Sequence, residues 1–194
     1  MNHPRNKPYH HGNLAPALVA AAAEMLETDG AKAVNLRELA RRAGVSAPAV
    51  YRHFAHKDAL LAAVAAQGFA ALVVEFERAR ADNPVPLDAL RALGQAYMAF
   101  AQDHPHLHGL MFGPPVAGVP PLDDGEKSFR LLAETVGACL GESATPERTL
   151  SGAIALWSLV HGYATLRRDG QLAQLPMSSL PDPVQIITSL SLNA

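Results

Sequence analysis

The stretch NLRELARRAGVSAPAVYRHFAHKDALL, residues 35–61, decides the fold. Asn35 followed by Glu38 has the spacing of a capping box and predicts a helix start. Leu36, Leu39 and Ala40 then share one helical face, while Arg37, Arg41 and Arg42 fall on others. Gly44-Val45 makes a turn. Ser46 is placed to cap a further helix, with Pro48 in its first turn, where a missing N–H is tolerated. Two short helices joined by a glycine-containing turn are the pattern of a helix-turn-helix. His56 is expected to be an exposed residue at the next helix start.

Working outward, residues 1–12 hold Arg5, Lys7 and two prolines and read as a flexible basic arm. A first helix can start at the Asn13 cap, with Leu14, Leu18, Ala22, Met25 and Leu26 at helical spacing and Gly30 as its stop. Downstream, a long helix runs from His56 or Lys57 to Arg80. Further helices are predicted over 87–102, 106–112, 126–140, 146–168 and 183–192, with a proline-rich loop over Gly113–Gly125. No period-2 alternation marks a strand. The expected fold is all-α, with an arm (1–12), a three-helix head (13–56) and a helical body (57–194).

The chain has 194 residues, 49% hydrophobic and 18% charged, a globular composition rather than a disordered one. Its single cysteine, Cys139, excludes an internal disulfide framework. The apolar stretches near 59–74 and 152–166 are interrupted by Gln67, Gly68, Ser158, His161 and Gly162. They do not read as membrane spans, no signal peptide is visible, and a cytoplasmic location is expected. Charge is uneven. Residues 1–58 carry 8 Lys/Arg and 5 Asp/Glu; residues 59–194 carry 8 and 13. A basic head on an acidic body suggests a polyanion partner for the head alone.

Residues 35–61 resemble the TetR family of bacterial transcriptional regulators. The resemblance lies in Arg37–Ala40, Gly44-Val45-Ser46, Tyr51-Arg52-His53-Phe54 and Lys57-x-x-Leu60-Leu61, and it extends back through PYHHGNL and the first helix. Trp157-Ser158-Leu159-Val160-His161-Gly162 and Phe112-Gly113-Pro114 are similar to a subgroup whose C-terminal domain carries a Trp/His-Gly signature. The resemblance implies a homodimer in which each head binds DNA and each body dimerises and takes a small effector. No cofactor and no catalytic residue is implied.

In a recognition helix, N-terminal residues meet base edges and flanking residues meet phosphates. Ser46, Ala47 and Ala49 are small enough for close approach. The Tyr51 hydroxyl, a His53 ring nitrogen and the Lys57 ammonium can reach phosphates, and by resemblance these three fall on the family's phosphate-contacting positions. Arg37 falls on a position that reaches DNA in many members, and Phe54 should turn inward. Tyr51 and His53 also fit packing roles, and Arg41 and Arg42 fit a solvated face and DNA contacts equally. Base reading falls to Arg37, Ser46 and Arg52, with phosphate contacts giving steep salt dependence. A twofold dimer would read a palindrome in double-stranded DNA.

In the body, Phe69, Tyr97, Phe100, Met111, Trp157 and His161 are candidates to line an effector pocket. Trp157 and His161, four apart, share a helix face. The small residues Ser151, Gly152, Ala153, Ala155, Ser158 and Gly162, with Ile186, Ile187 and Leu190, suggest a four-helix dimer interface. The function expected is a repressor released from its operator by a small molecule. Two alternatives compete: a ligand-independent DNA-binding protein, and a metal-binding enzyme built on His104, His106 and His108. No HExxH, G-x-S-x-G or phosphate loop accompanies those histidines, so no metal site is expected.

Overall fold

The computed structural model describes residues 14–113 and 123–174. Among these the elements are α1 (Leu14–Asp29), α2 (Leu36–Arg42), α3 (Ala47–Tyr51), α4 (Lys57–Asp82), α5 (Pro86–Asp103), α6 (Pro105–Met111), α7 (Asp123–Leu140) and α8 (Pro146–Arg168), plus 3-10 turns at Gly141–Ser143 and Leu172–Gln174. No strand occurs among the described residues. The arm, the Asn13 cap and the helix expected over 183–192 lie outside them. α7 starts earlier than expected: Asp123, Asp124 and Glu126 occupy its first turn, where carboxylates meet the positive end of the helix dipole. Gly125 is therefore helical, not part of the loop.

The head folds as its pattern dictates. Asn35 Oδ1 accepts from the Glu38 N–H at 2.9 Å, so half of the capping box forms. The Glu38 side chain does not reach back, because it is committed to Arg41 and Arg42. α2 ends in a left-handed Gly44 (φ 66°), with Val45 N–H bonded to Ala40 O and Gly44 N–H to Arg41 O. This is a Schellman closure that a side chain at residue 44 would strain. Ser46 has the extended backbone of a cap, but its hydroxyl makes no cap bond. The reason is local: Pro48 has no N–H to offer, and the Ala49 N–H goes to the Ser46 carbonyl at 2.9 Å. At the next start His56 takes the capping role, its Nδ1 accepting from the Ala59 N–H at 3.1 Å.

Two cores lie along one helix. Leu18, Leu26, Leu39, Val50 and Phe54 of the head enclose Leu60, Leu61 and Val64 from the first turns of α4. Further along, Phe69, Leu72, Val73 and Phe76 of α4 join Leu93, Tyr97 and Phe100 of α5 in the body core. An 18-residue window of α4 has mean hydropathy 1.9, enough in length and composition for a membrane span. Half of that window is buried against the rest of the fold, which makes α4 the axis of both cores. α6 also touches both, through Leu107 and Leu110. It lies close on α4 at Gly68, where a Cβ would come within 2.6 Å of the Met111 sulfur.

Helix starts supply a test. Asn35→Ala should cost about 1 kcal/mol in urea unfolding, as loss of a bonded cap does. Ser46→Ala should leave the midpoint nearly unchanged. Equal losses would contradict the cap geometry.

Candidate nucleic-acid interface and body cavity

α3 is short and one-sided. Val50 is fully buried and Phe54 turns inward as expected, which leaves Ser46, Pro48, Tyr51, Arg52 and His53 facing out. Tyr51 is 46% exposed, a half-buried ring with one side open to solvent, and exposure of His53 removes the core-histidine reading. Ala47 is partly exposed. Ala49 is buried against the core, so its placement at the DNA surface is corrected: it lies on the inward side of the turn next to Val50.

The cations of the head fall into two sets. Glu38 accepts from Arg41 at 2.7 Å and Arg42 at 2.9 Å, and Arg42 also bridges to Asp29 at 2.7 Å. Hydrogen bonds from Arg41 and then Arg42 hold the Glu38 carboxyl down at about 2. Arg41 and Arg42 thus form a solvated, self-neutralised face. Arg37 and Arg52 are exposed beyond this network. Lys57 Nζ donates to the Ala31 carbonyl at 2.6 Å, which holds the ammonium beside the α1–α2 turn.

The body contains a cavity of about 780 Å³ between α4, α5, α7 and α8. Of the expected lining residues, Phe69, Tyr97 and Trp157 are in its wall; Phe100, Met111 and His161 are not. Phe100 is buried, its ring against His104. Met111 turns toward α4 at Gly68, and His161 sits behind Tyr97. Phe112 and Phe129 also line the cavity. Phe112 occupies the centre of an aromatic cluster, with ring centroids 5.2 Å from Phe69, 5.9 Å from Tyr97 and 6.1 Å from Trp157.

Behind this wall the Tyr97 hydroxyl bridges His108 Nε2 at 2.9 Å and His161 Nδ1 at 2.8 Å. One hydroxyl has one proton, so at most one of the two histidines accepts from it, and the other donates to its oxygen. Burial pushes the Tyr97 phenol up, with Trp157 opposing. Burial, then the charges of His161 and Arg168, holds His108 down at about 4. Burial and then Arg168 lower His161 as well. This pairing also disposes of the histidine cluster: His108 faces Tyr97 inside, whereas His104 and His106 are exposed. No group of three metal-ligating side chains occurs among the described residues. The spacing held a clue, since Phe112, the C-cap of α6, lies four residues after His108, as His161 lies four after Trp157 on α8.

A helix-turn-helix head coupled to a cavity-bearing helical body defines a one-component DNA-binding regulator. Residues 18–64 match the family model described as bacterial regulatory proteins, tetR family, and residues 90–184 match the tetracyclin repressor-like C-terminal domain. The chain belongs to the TetR family and is a DNA-binding transcriptional regulator. It is 34% identical to a protein of unknown function from Rhodococcus sp. RHA1, covering 95% of both chains with a TM-score of 0.76. It is 26% identical over 156 residues to the HTH-type transcriptional regulator Mb1846 of Mycobacterium bovis, covering 78% of this chain and 67% of that one. A TetR from Acinetobacter baumannii in complex with minocycline shares the fold at 21% identity, with a TM-score of 0.62 and coverage of 94% and 92%.

His108 predicts a pH dependence. Its folded value of about 4 lies below the ordinary 6.5, so the unfolded chain binds the proton more readily. Stability is therefore fully present above about pH 6.5 and is lost as pH falls toward 4, by on the order of 3 kcal/mol. His161 contributes in the same direction. Urea midpoints between pH 7 and 4.5 should fall for the wild type and fall less for His108→Gln; equal slopes would contradict the assignment.

Proposed function

We propose that this regulator is a repressor that grips a palindromic operator as a homodimer and releases it when a small molecule fills the body cavity. The observation that carries this reading is a mechanical link. Phe112, in the cavity wall, terminates α6. At the other end of α6, the Glu27 carboxylate of α1 accepts from the backbone N–H of His106 at 3.2 Å and of Leu107 at 2.8 Å. These are N–H groups a helix start leaves unpartnered, and the head supplies the acceptor. One seven-residue helix thus joins the cavity to the first helix of the head, beside the longer path through α4.

On DNA, Arg37, Ser46 and Arg52 would read base edges. Tyr51, His53 and Lys57 would hold phosphates, with Ala47 allowing close approach. Ser46 has its hydroxyl uncommitted by capping, and Lys57 would exchange the Ala31 carbonyl for a phosphate. The two heads of a dimer would meet half-sites about 34–36 Å apart or a multiple of that. For the dimer, α8 offers an outward face with Leu150, Ile154, Ala155 and Ser158 exposed. The complementing segment around Ile186, Ile187 and Leu190 lies outside the described residues. Such a protein works in the bacterial cytoplasm, where its operator is. The minocycline complex of the A. baumannii relative supports a small molecule as the signal.

Coupling of about 1–3 kcal/mol would change operator affinity roughly 5–150-fold. Glu27→Gln weakens the charge-assisted cap on α6 while leaving the cavity wall intact. A selected operator should bind this variant, a cavity ligand should still bind, and the ligand-induced loss of DNA affinity should shrink severalfold in gel shifts. A wild-type response would remove α6 as the link. A wild type that binds ligand with unchanged operator affinity would overturn the repressor reading itself.

A further inference from the structure

The chemistry of the cavity wall narrows what can enter it. Six aromatic rings face the space, those of Phe69, Phe76, Tyr97, Phe112, Phe129 and Trp157, and most of the remainder is aliphatic. Among the described residues the other polar side chains of the wall are Arg91, Ser128 and Cys139. Each of the stronger polar groups already has a partner, Arg91 through one nitrogen in a solvent-exposed pair. Arg91 donates to Asp88 at 2.9 Å near the start of α5. The Ser128 hydroxyl donates to the Gly125 carbonyl at 2.8 Å. The Tyr97 hydroxyl lies between its two histidines. What remains is a thiol, a weak partner for an ion, because the Trp157 indole N–H is already directed at the Tyr97 hydroxyl.

No carboxylate, lysine, imidazole or amide side chain is among the described lining residues. An anion entering this space would lose its hydration and find one guanidinium already paired with Asp88. A cation would find no carboxylate. The ring faces would offset only part of its dehydration, because several are turned edge-to-face onto each other, as Phe69 on Phe112 and Phe129 on Trp157. A buried charge without a partner is among the most expensive states a pocket can hold. A neutral ring system meets no such penalty, and about 780 Å³ is room for a drug-sized one.

We propose that the cavity takes a neutral, ring-bearing, largely apolar molecule and rejects close analogues that carry a charge of either sign. This rests on the reading of the cavity as the effector site, but its test does not need DNA. N-phenyl-1-naphthylamine and 1-anilinonaphthalene-8-sulfonate share one scaffold and differ by a sulfonate, and a trimethylammonium derivative supplies the cation. Fluorescence titration of the full chain should give the neutral probe an affinity on the order of 100-fold above either ion, as an unpaired buried charge costs several kcal/mol. Cys139 is exposed and in the wall, so the bound neutral probe should slow its alkylation by maleimide. Leu132→Lys, at a partly buried wall position, should reverse the preference toward the sulfonate.

Equal or tighter binding of an ion by the wild type overturns the proposal, as does the absence of binding by all three probes. Neutral-probe binding that leaves Cys139 alkylation unchanged overturns the assignment to this cavity. Binding of the neutral probe with Cys139 protection supports the ligand class. If operator affinity then stays unchanged, the effector reading fails while the ligand class stands.

Discussion

α4 belongs to two cores at once, and the rest of the molecule is arranged by that constraint. Its first turns supply Leu60, Leu61 and Val64 to the head, and its middle supplies Phe69, Leu72, Val73 and Phe76 to the body. A helix of 26 residues is about 39 Å long and stiff along its axis. Neither core can rotate about it independently without exposing apolar surface. Between the two sets sits Gly68, and the missing side chain there lets α6 lie against α4 where head and body meet. α6 is then secured from both sides, by Glu27 of α1 at its start and by the aromatic cluster around Phe112 at its end. In the proposed function, a ligand that displaces Phe112 or tilts the body end of α4 would push on elements tied to the head.

The buried Tyr97 bridge gives this arrangement a defined register. Its three members come from α5, α6 and α8, and a neutral chain of hydrogen bonds satisfies them only when all three helices are in place. Apolar packing alone tolerates sliding, whereas a buried polar group left without its partner costs on the order of 1–3 kcal/mol. The same bridge separates chemistry from recognition in the body. The histidines serve the fold behind the wall, and the wall itself shows rings and aliphatic carbon.

The head was nearly all legible in the sequence, because its signals are local. The Asn35 cap and the Gly44 turn follow from spacing over a few residues, whereas the inward Phe54 and the outward Tyr51 and His53 came with the family resemblance. Where local reading failed, a backbone detail decided. Ser46 does not cap because Pro48 and the Ala49 bond remove its targets, and Ala49 is buried because a five-residue helix turns it inward. The body was legible as helices but not as a site. Phe69, Tyr97 and Trp157 reach the cavity, while Phe100, Met111 and His161 point elsewhere, and helical periodicity cannot separate these cases when every face of a helix meets a neighbour. The acidic start of α7 at Asp123 was hidden by the prolines before it.

The central claim is that filling the body cavity moves the two heads relative to each other. It is tested most directly by the distance between spin labels on the two heads of a dimer. Labels at Glu24→Cys, exposed on α1 and away from the DNA-facing residues, in a Cys139→Ser background, report that distance by pulsed electron resonance with and without N-phenyl-1-naphthylamine. The account predicts a separation fitting half-sites about 34–36 Å apart on DNA and a shifted distribution when the probe fills the cavity. An unchanged distribution at saturating probe would contradict it.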